Sequence, residues 1–128
     1  MSLKDRLSVM VVDDMSVSRG LIIQALEEIG IKKIDHCKDG ESAFRKLAAA
    51  PSHLVISDYN MPGANGLQLL AGLRQYNATQ RIGFILITGT ASQEIIDKGN
   101  QLGMNNFLKK PFSATELKTC IERVVGAL

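Results

Sequence analysis

The stretch Leu54-Val55-Ile56-Ser57-Asp58-Tyr59-Asn60-Met61-Pro62-Gly63-Ala64-Asn65-Gly66 decides how the chain reads. A short apolar run leads into Asp58, and Met61-Pro62-Gly63 and Gly66 then break the strand and turn the chain. One carboxylate so stands at the carboxyl end of a buried strand, where a loop begins. Open α/β sheets place their chemistry at that edge. Asp58 is therefore the leading candidate for the working residue.

Outward from this strand the same pattern repeats. Val9-Met10-Val11-Val12 is a continuous apolar run ending at Asp13-Asp14, as suits a strand buried on both faces. Ser16 is a candidate N-cap for a helix carried by Val17, Leu21, Ile22, Ala25, Leu26 and Ile29, with Gly30 as its stop. A weaker strand spans Lys33 to Cys37; Asp39-Gly40 opens a helix with Ala43, Phe44, Leu47 and Ala48 on its stripe, and Pro51 ends it. The central strand runs from His53 to Asp58. Asn65 is a candidate cap for a helix bearing Leu67, Leu69, Leu70 and Leu73. Ile82 to Ile87 is a buried-type strand ending at Thr88. Ser92 caps a helix with Ile95, Ile96 and Leu102, stopped by Gly103. Asn106 to Lys109 is a short strand broken by Pro111. Ser113 with Glu116 makes a capping box for the last helix. Strand and helix thus alternate five times, which predicts one α/β domain over residues 1–128 with a parallel sheet and helices on both faces.

Composition narrows the function classes. The 45% hydrophobic content supplies a core, and a net charge of +2 is too small for a nucleic-acid or membrane footprint. Cys37 and Cys120 lie far apart without CxxC spacing, which disfavours structural zinc or a disulfide framework and fits a reducing, cytoplasmic setting. His36 and His53 have no second ligand at metal spacing and read as structural. No apolar run reaches the roughly 18 residues of a membrane span. Met1-Ser2-Leu3 has the look of an expression remnant and is left out of the fold reading.

The chemistry gathers at the strand ends. Asp13-Asp14, Asp58, Thr88 and Lys109-Lys110 end four separate strands, and in a parallel sheet those ends share one edge. Each alone has an ordinary explanation as a cap, a loop residue or a solvated lysine. Their coincidence is what points to a site. Converging carboxylates repel and need neutralising; hard oxygen ligands suit Mg²⁺. A carboxylate nucleophile, a metal and a lysine meet the needs of phosphoryl transfer. In that reading Asp58 attacks phosphorus. Asp14, Asp58 and the backbone carbonyl of Asn60 hold the metal, Asp13 assists directly or through water, and Lys110 and Thr88 grip the phosphoryl oxygens.

These residues resemble a known family. D-D after the first strand, S-D-Y-N-M-P-G-x-x-G around Asp58, T-G-T at 88–90 and K-P-F at 110–112 are similar to response-regulator receiver domains, nearest to single-domain chemotaxis receivers of the CheY type. The resemblance implies a flavodoxin-like sheet of order 2-1-3-4-5, which periodicity cannot give. It implies that Asp58 accepts a phosphoryl group from a histidine kinase, with Mg²⁺ at Asp13, Asp14, Asp58 and the Asn60 carbonyl. It identifies Lys110 as the matching lysine, followed by a cis bond to Pro111, and Thr88 and Phe107 as the switch pair. The surface formed by the helix after Ser92, the last strand and the last helix would then be read by a protein target, the flagellar motor switch being one candidate. Phe107 lacks a tyrosine hydroxyl, Asn65 stands where Asp often precedes Gly66, and Tyr59, Asn60 and Thr90 occupy variable positions that bear on phosphoryl lifetime.

The rival readings are weaker. An aspartyl-phosphate phosphatase or phosphotransferase of the Asp-x-Asp type would have Asp where Asn60 stands. A flavodoxin-like FMN binder needs a hydroxyl- and glycine-rich loop where Asp13-Asp14-Met15 stands, and the GxxxxGK[ST] of a P-loop is missing. A purely structural α/β module leaves the four strand ends unexplained. Within the receiver reading, a unit cut from a longer regulator or phosphorelay protein is the alternative to a stand-alone one.

Overall fold

The computed structural model describes residues 2–90 and 92–128; Met1 lies outside them. Five parallel strands form one sheet in the order β2-β1-β3-β4-β5: β1 Ser8–Val12, β2 Lys33–Cys37, β3 Leu54–Asp58, β4 Gly83–Thr88 and β5 Asn106–Lys109. The helices are α1 Leu3–Arg6, α2 Ser16–Ile29, α3 Gly40–Ala49, α4 Gly66–Gln75, α5 Gln93–Leu102 and α6 Ala114–Val125. The expected flavodoxin-like order is therefore the observed one.

Alternation along each central strand divides the core. Val9 and Val11, Leu54 and Ile56, and Ile85 and Ile87 pack with Ile22 and Leu26 of α2 and Leu117 and Ile121 of α6. Met10 and Val12, Val55, and Phe84 and Leu86 pack on the other face with Leu47 of α3 and Leu70 and Leu73 of α4. Strands buried on both faces read as unbroken apolar runs, which is why no polar alternation appears in the sequence.

Local signals fix most helix ends. Asp39, Asn65, Ser92 and Ser113 each accept a backbone N–H of the first turn, and Gly30 and Gly103 close their helices in the left-handed region, at φ 101° and 92°. Ser16 does not cap α2. Met15 is the N-cap and Ser16 the first helical residue, because Asp13 Oδ1 takes the Met15 N–H and turns the chain one residue early. A second difference lies at the start: Leu3, left out of the sequence reading, opens α1, with Ser2 and Asp5 forming a capping box. His53 is structural as expected, its Nδ1 accepting the Ser8 N–H at 3.0 Å and tying the start of β3 to β1.

Candidate functional site

The topology brings the carboxyl ends of β1, β3, β4 and β5 to one edge. Asp58 pairs in register with Ile87 and Thr88 with Lys109, so the residues at or just beyond these ends become neighbours although far apart in sequence. Asp13, Asp14 and Asp58 each offer a carboxylate oxygen, all within 4.8 Å of one another. Asp13 is fully buried and Asp58 is 6% exposed.

Among the described residues Lys110 is the one cation that forms ion pairs with these carboxylates. Its Nζ lies 3.2 Å from Asp58 Oδ1 and 3.6 Å from Asp13 Oδ2. Lys109 does not reach it by any ion pair found among the described residues. The Lys110–Pro111 peptide bond is cis, as expected. One ammonium against three carboxylates leaves the site short of positive charge. Burial drives the Asp58 carboxyl above its ordinary value; Lys110 opposes this and the nearby Asp13 adds to it. Asp14 Oδ1 is buried and has no hydrogen-bond partner among the described residues. Buried carboxylate oxygens are rarely left without partners. An unpaired oxygen facing a like-charged pair is what a hard cation would satisfy, so these donors fit Mg²⁺.

The remaining expected residues stand as follows. Thr88 is buried, and its hydroxyl is engaged within its own loop: it accepts the Thr90 N–H and donates to the Thr90 carbonyl, both at 3.0 Å. Phe107 is half-buried at the edge of the core shared by α3, α4 and α5. Asn60 is exposed, on the rim of a concavity with Tyr59, Met61, Pro62, Gly63 and Asn65. That loop is closed at its far end by the Gly66 N–H on the Tyr59 carbonyl at 3.0 Å.

Sequence reasoning missed two residues at the site. Ser18 in the first turn of α2 touches both Asp13 and Lys110, and Arg19 Nη1 donates to the Asp13 carbonyl at 2.8 Å. Their only signal was placement one helical turn beyond a strand-end carboxylate.

Comparison with known proteins shows the family and the fold. The model of the response regulator receiver domain matches residues 9–122. A probable chemotaxis protein CheY of Rhizobium etli is 39% identical over 128 residues, covering 100% of this chain and 99% of that one. Chemotaxis protein CheY-3 of Vibrio cholerae is 30% identical over 98% of this chain and 97% of its own. Among solved structures, CheY4 of Vibrio cholerae superposes with a TM-score of 0.86 at 27% identity, over 92% of this chain and 98% of that one. The receiver domain of a sensor histidine kinase from Pseudomonas aeruginosa, solved with magnesium coordinated in its active-site cleft, gives 0.85 at 26% identity, over 94% and 98%. With fold, strand-end chemistry and full-length relatives in agreement, the chain belongs to the response regulator receiver family, as a CheY-type phosphoacceptor of two-component signalling.

Proposed function

We propose that Asp58 is the acceptor and that the strand-end cluster carries out the transfer. The observation behind this is the contact of Lys110 Nζ with Asp58 Oδ1 at 3.2 Å, beside a second carboxylate with an unpartnered buried oxygen. An oxygen of Asp58 attacks the phosphorus of a kinase phosphohistidine. The new O–P bond forms as the P–N bond breaks, and the electron pair leaves with the imidazole nitrogen. Lys110 neutralises the incoming oxygens. Asp14, Asp58 and the Asn60 carbonyl would hold Mg²⁺, with Asp13 assisting, and that ion would supply the charge neutralisation the single lysine leaves incomplete.

The same site lets water release the phosphoryl group, with Tyr59, Asn60 and Thr90 bordering the approach. The donor is a histidine kinase. Met15, Val17 and Leu21, at 61%, 74% and 59% exposure, offer it an apolar face beside the acceptor. For the output, Thr88 leaves Thr90 for the new oxygens, Phe107 turns into the space behind, and the α5–β5–α6 surface changes for a downstream protein. The motor switch is a candidate target. The whole chain acts as one receiver unit in the cytoplasm.

Intact mass after incubation with Mg²⁺ and acetyl phosphate tests the reading. A gain of one phosphoryl group that EDTA prevents and Asp58→Asn abolishes is expected. A gain that survives Asp58→Asn overturns it.

A further inference from the structure

Ser18 has no part in the transfer proposed for Asp58, yet its hydroxyl bridges two of the residues that do. Lys110 Nζ donates to Ser18 Oγ at 2.8 Å, and Ser18 Oγ donates in turn to Asp13 Oδ2. The direction of this chain is fixed by chemistry. An ammonium has no acceptor, so the hydroxyl must accept from Lys110, and its single proton is then committed to Asp13. Asp13 Oδ1 is held by the Met15 N–H at 3.0 Å, so both oxygens of this buried carboxylate are oriented by neighbours. The Lys110 ammonium meets only Ser18, Asp58 and Asp13 among the described residues. Ser18 is the one uncharged member of that set, so its hold on the ammonium does not depend on the charge state of Asp58.

We propose that Ser18 is a positioning residue, whose hydroxyl fixes the Asp13 carboxylate for the cation and keeps the Lys110 ammonium over Asp58. This rests on the reading of Asp58 as acceptor. Partners that orient ligating side chains commonly account for 10–100-fold in metal affinity or activity. The first turn of α2 tolerates alanine, which is the better helix former, so Ser18→Ala leaves the fold in place.

The test compares wild type, Ser18→Ala, Ser18→Thr, Lys110→Ala and the Ser18→Ala/Lys110→Ala pair. Mg²⁺ affinity of the unphosphorylated protein is read from backbone amide shifts, and phosphoryl uptake from acetyl phosphate at saturating Mg²⁺. Ser18→Ala should weaken Mg²⁺ binding and slow uptake, each by about tenfold. Ser18→Thr, which keeps the hydroxyl, should stay close to wild type. In the Lys110→Ala background, Ser18→Ala should slow uptake no further. Wild-type behaviour of Ser18→Ala, or slowing that adds fully to that of Lys110→Ala, overturns the role of Ser18 while leaving the acceptor intact. No uptake by the wild-type protein overturns the acceptor reading and this role with it.

Discussion

Gly66 lies directly against the backbone of Asp58: a methyl group on Gly66 would stand 2.5 Å from the Asp58 carbonyl oxygen and 2.8 Å from Leu86 Cδ1. The first of these is backbone and cannot step aside cheaply. Gly66→Ala should therefore cost roughly 1–3 kcal/mol, as overpacking does, and slow phosphoryl uptake by shifting the acceptor strand end. Gly72→Ala is the internal contrast. Its methyl would meet Phe44 at 3.6 Å, ordinary contact, in the middle of α4. It should stabilise by about 0.5–1 kcal/mol, the usual gain from replacing a mid-helix glycine. Urea unfolding of the two variants decides both.

Burial and Asp13 raise the Asp58 carboxyl above its ordinary value despite Lys110. A raised carboxyl binds its proton more tightly in the folded chain than in the unfolded one. Stability is thus greatest where both states are protonated and falls as pH rises through the folded-state value. Without Mg²⁺, Asp58→Asn should melt higher than wild type at pH 7, with the gap closing near about pH 4. Added Mg²⁺ should raise the wild-type midpoint and move the variant less. Thermal melts across pH, with and without EDTA, measure this.

Arg74 joins parts of the chain distant from the site. Its guanidinium donates to the carbonyls of Gly103, Gln80 and Ile82 and to Asn105 Oδ1, at 2.7–3.2 Å. Asn105 Oδ1 also accepts the Phe84 N–H at 2.7 Å, so the staple reaches the start of β4. Arg74→Met should destabilise by about 2–3 kcal/mol, the scale of hydrogen bonds from a charged group. Phosphoryl uptake by the folded fraction should be unchanged.

Cys120 is buried on the inner face of α6, its Sγ 3.6 Å from the Phe107 carbonyl, and loss of solvent pushes its thiol up to about 11. Burial raises Cys37 as well. Thiolate is the reactive form. Neither cysteine should react with iodoacetamide at pH 7.5 in the folded protein, and both should react in urea. Intact mass counts the adducts.

Leu21 is exposed on the flank of α2, where a docking kinase would bear on it and a small donor would not. Leu21→Asp should slow transfer from a phosphorylated kinase by at least about tenfold, the effect of losing an apolar anchor of about 1.4 kcal/mol or more. The rate with acetyl phosphate should stay as it is. Radiolabel transfer assays separate the two.

Much of this was legible in the residues. The apolar runs Val9–Val12 and Ile82–Ile87 marked strands because burial on both faces leaves no alternation to confuse them. Asp39, Asn65, Ser92 and Ser113 marked helix starts because each carries its own side-chain acceptor. Ser16 misled because Asp13, a tertiary-site residue, also serves the turn into α2. The short α1 was obscured because a four-residue helix has no periodicity to read. Strand order came from family likeness, since nothing local encodes which strands pair. Ser18 and Arg74 were invisible for a related reason: their partners lie across the fold, at Lys110 and at Gly103 and Asn105.

The identity of the acceptor can be read chemically. Borohydride reduces an aspartyl phosphate to homoserine, and peptide mapping then locates the modified position. After incubation with acetyl phosphate and Mg²⁺, homoserine should appear at position 58 alone. Homoserine at position 13 or 14, or none in protein that has gained a phosphoryl group, would contradict the assignment of Asp58.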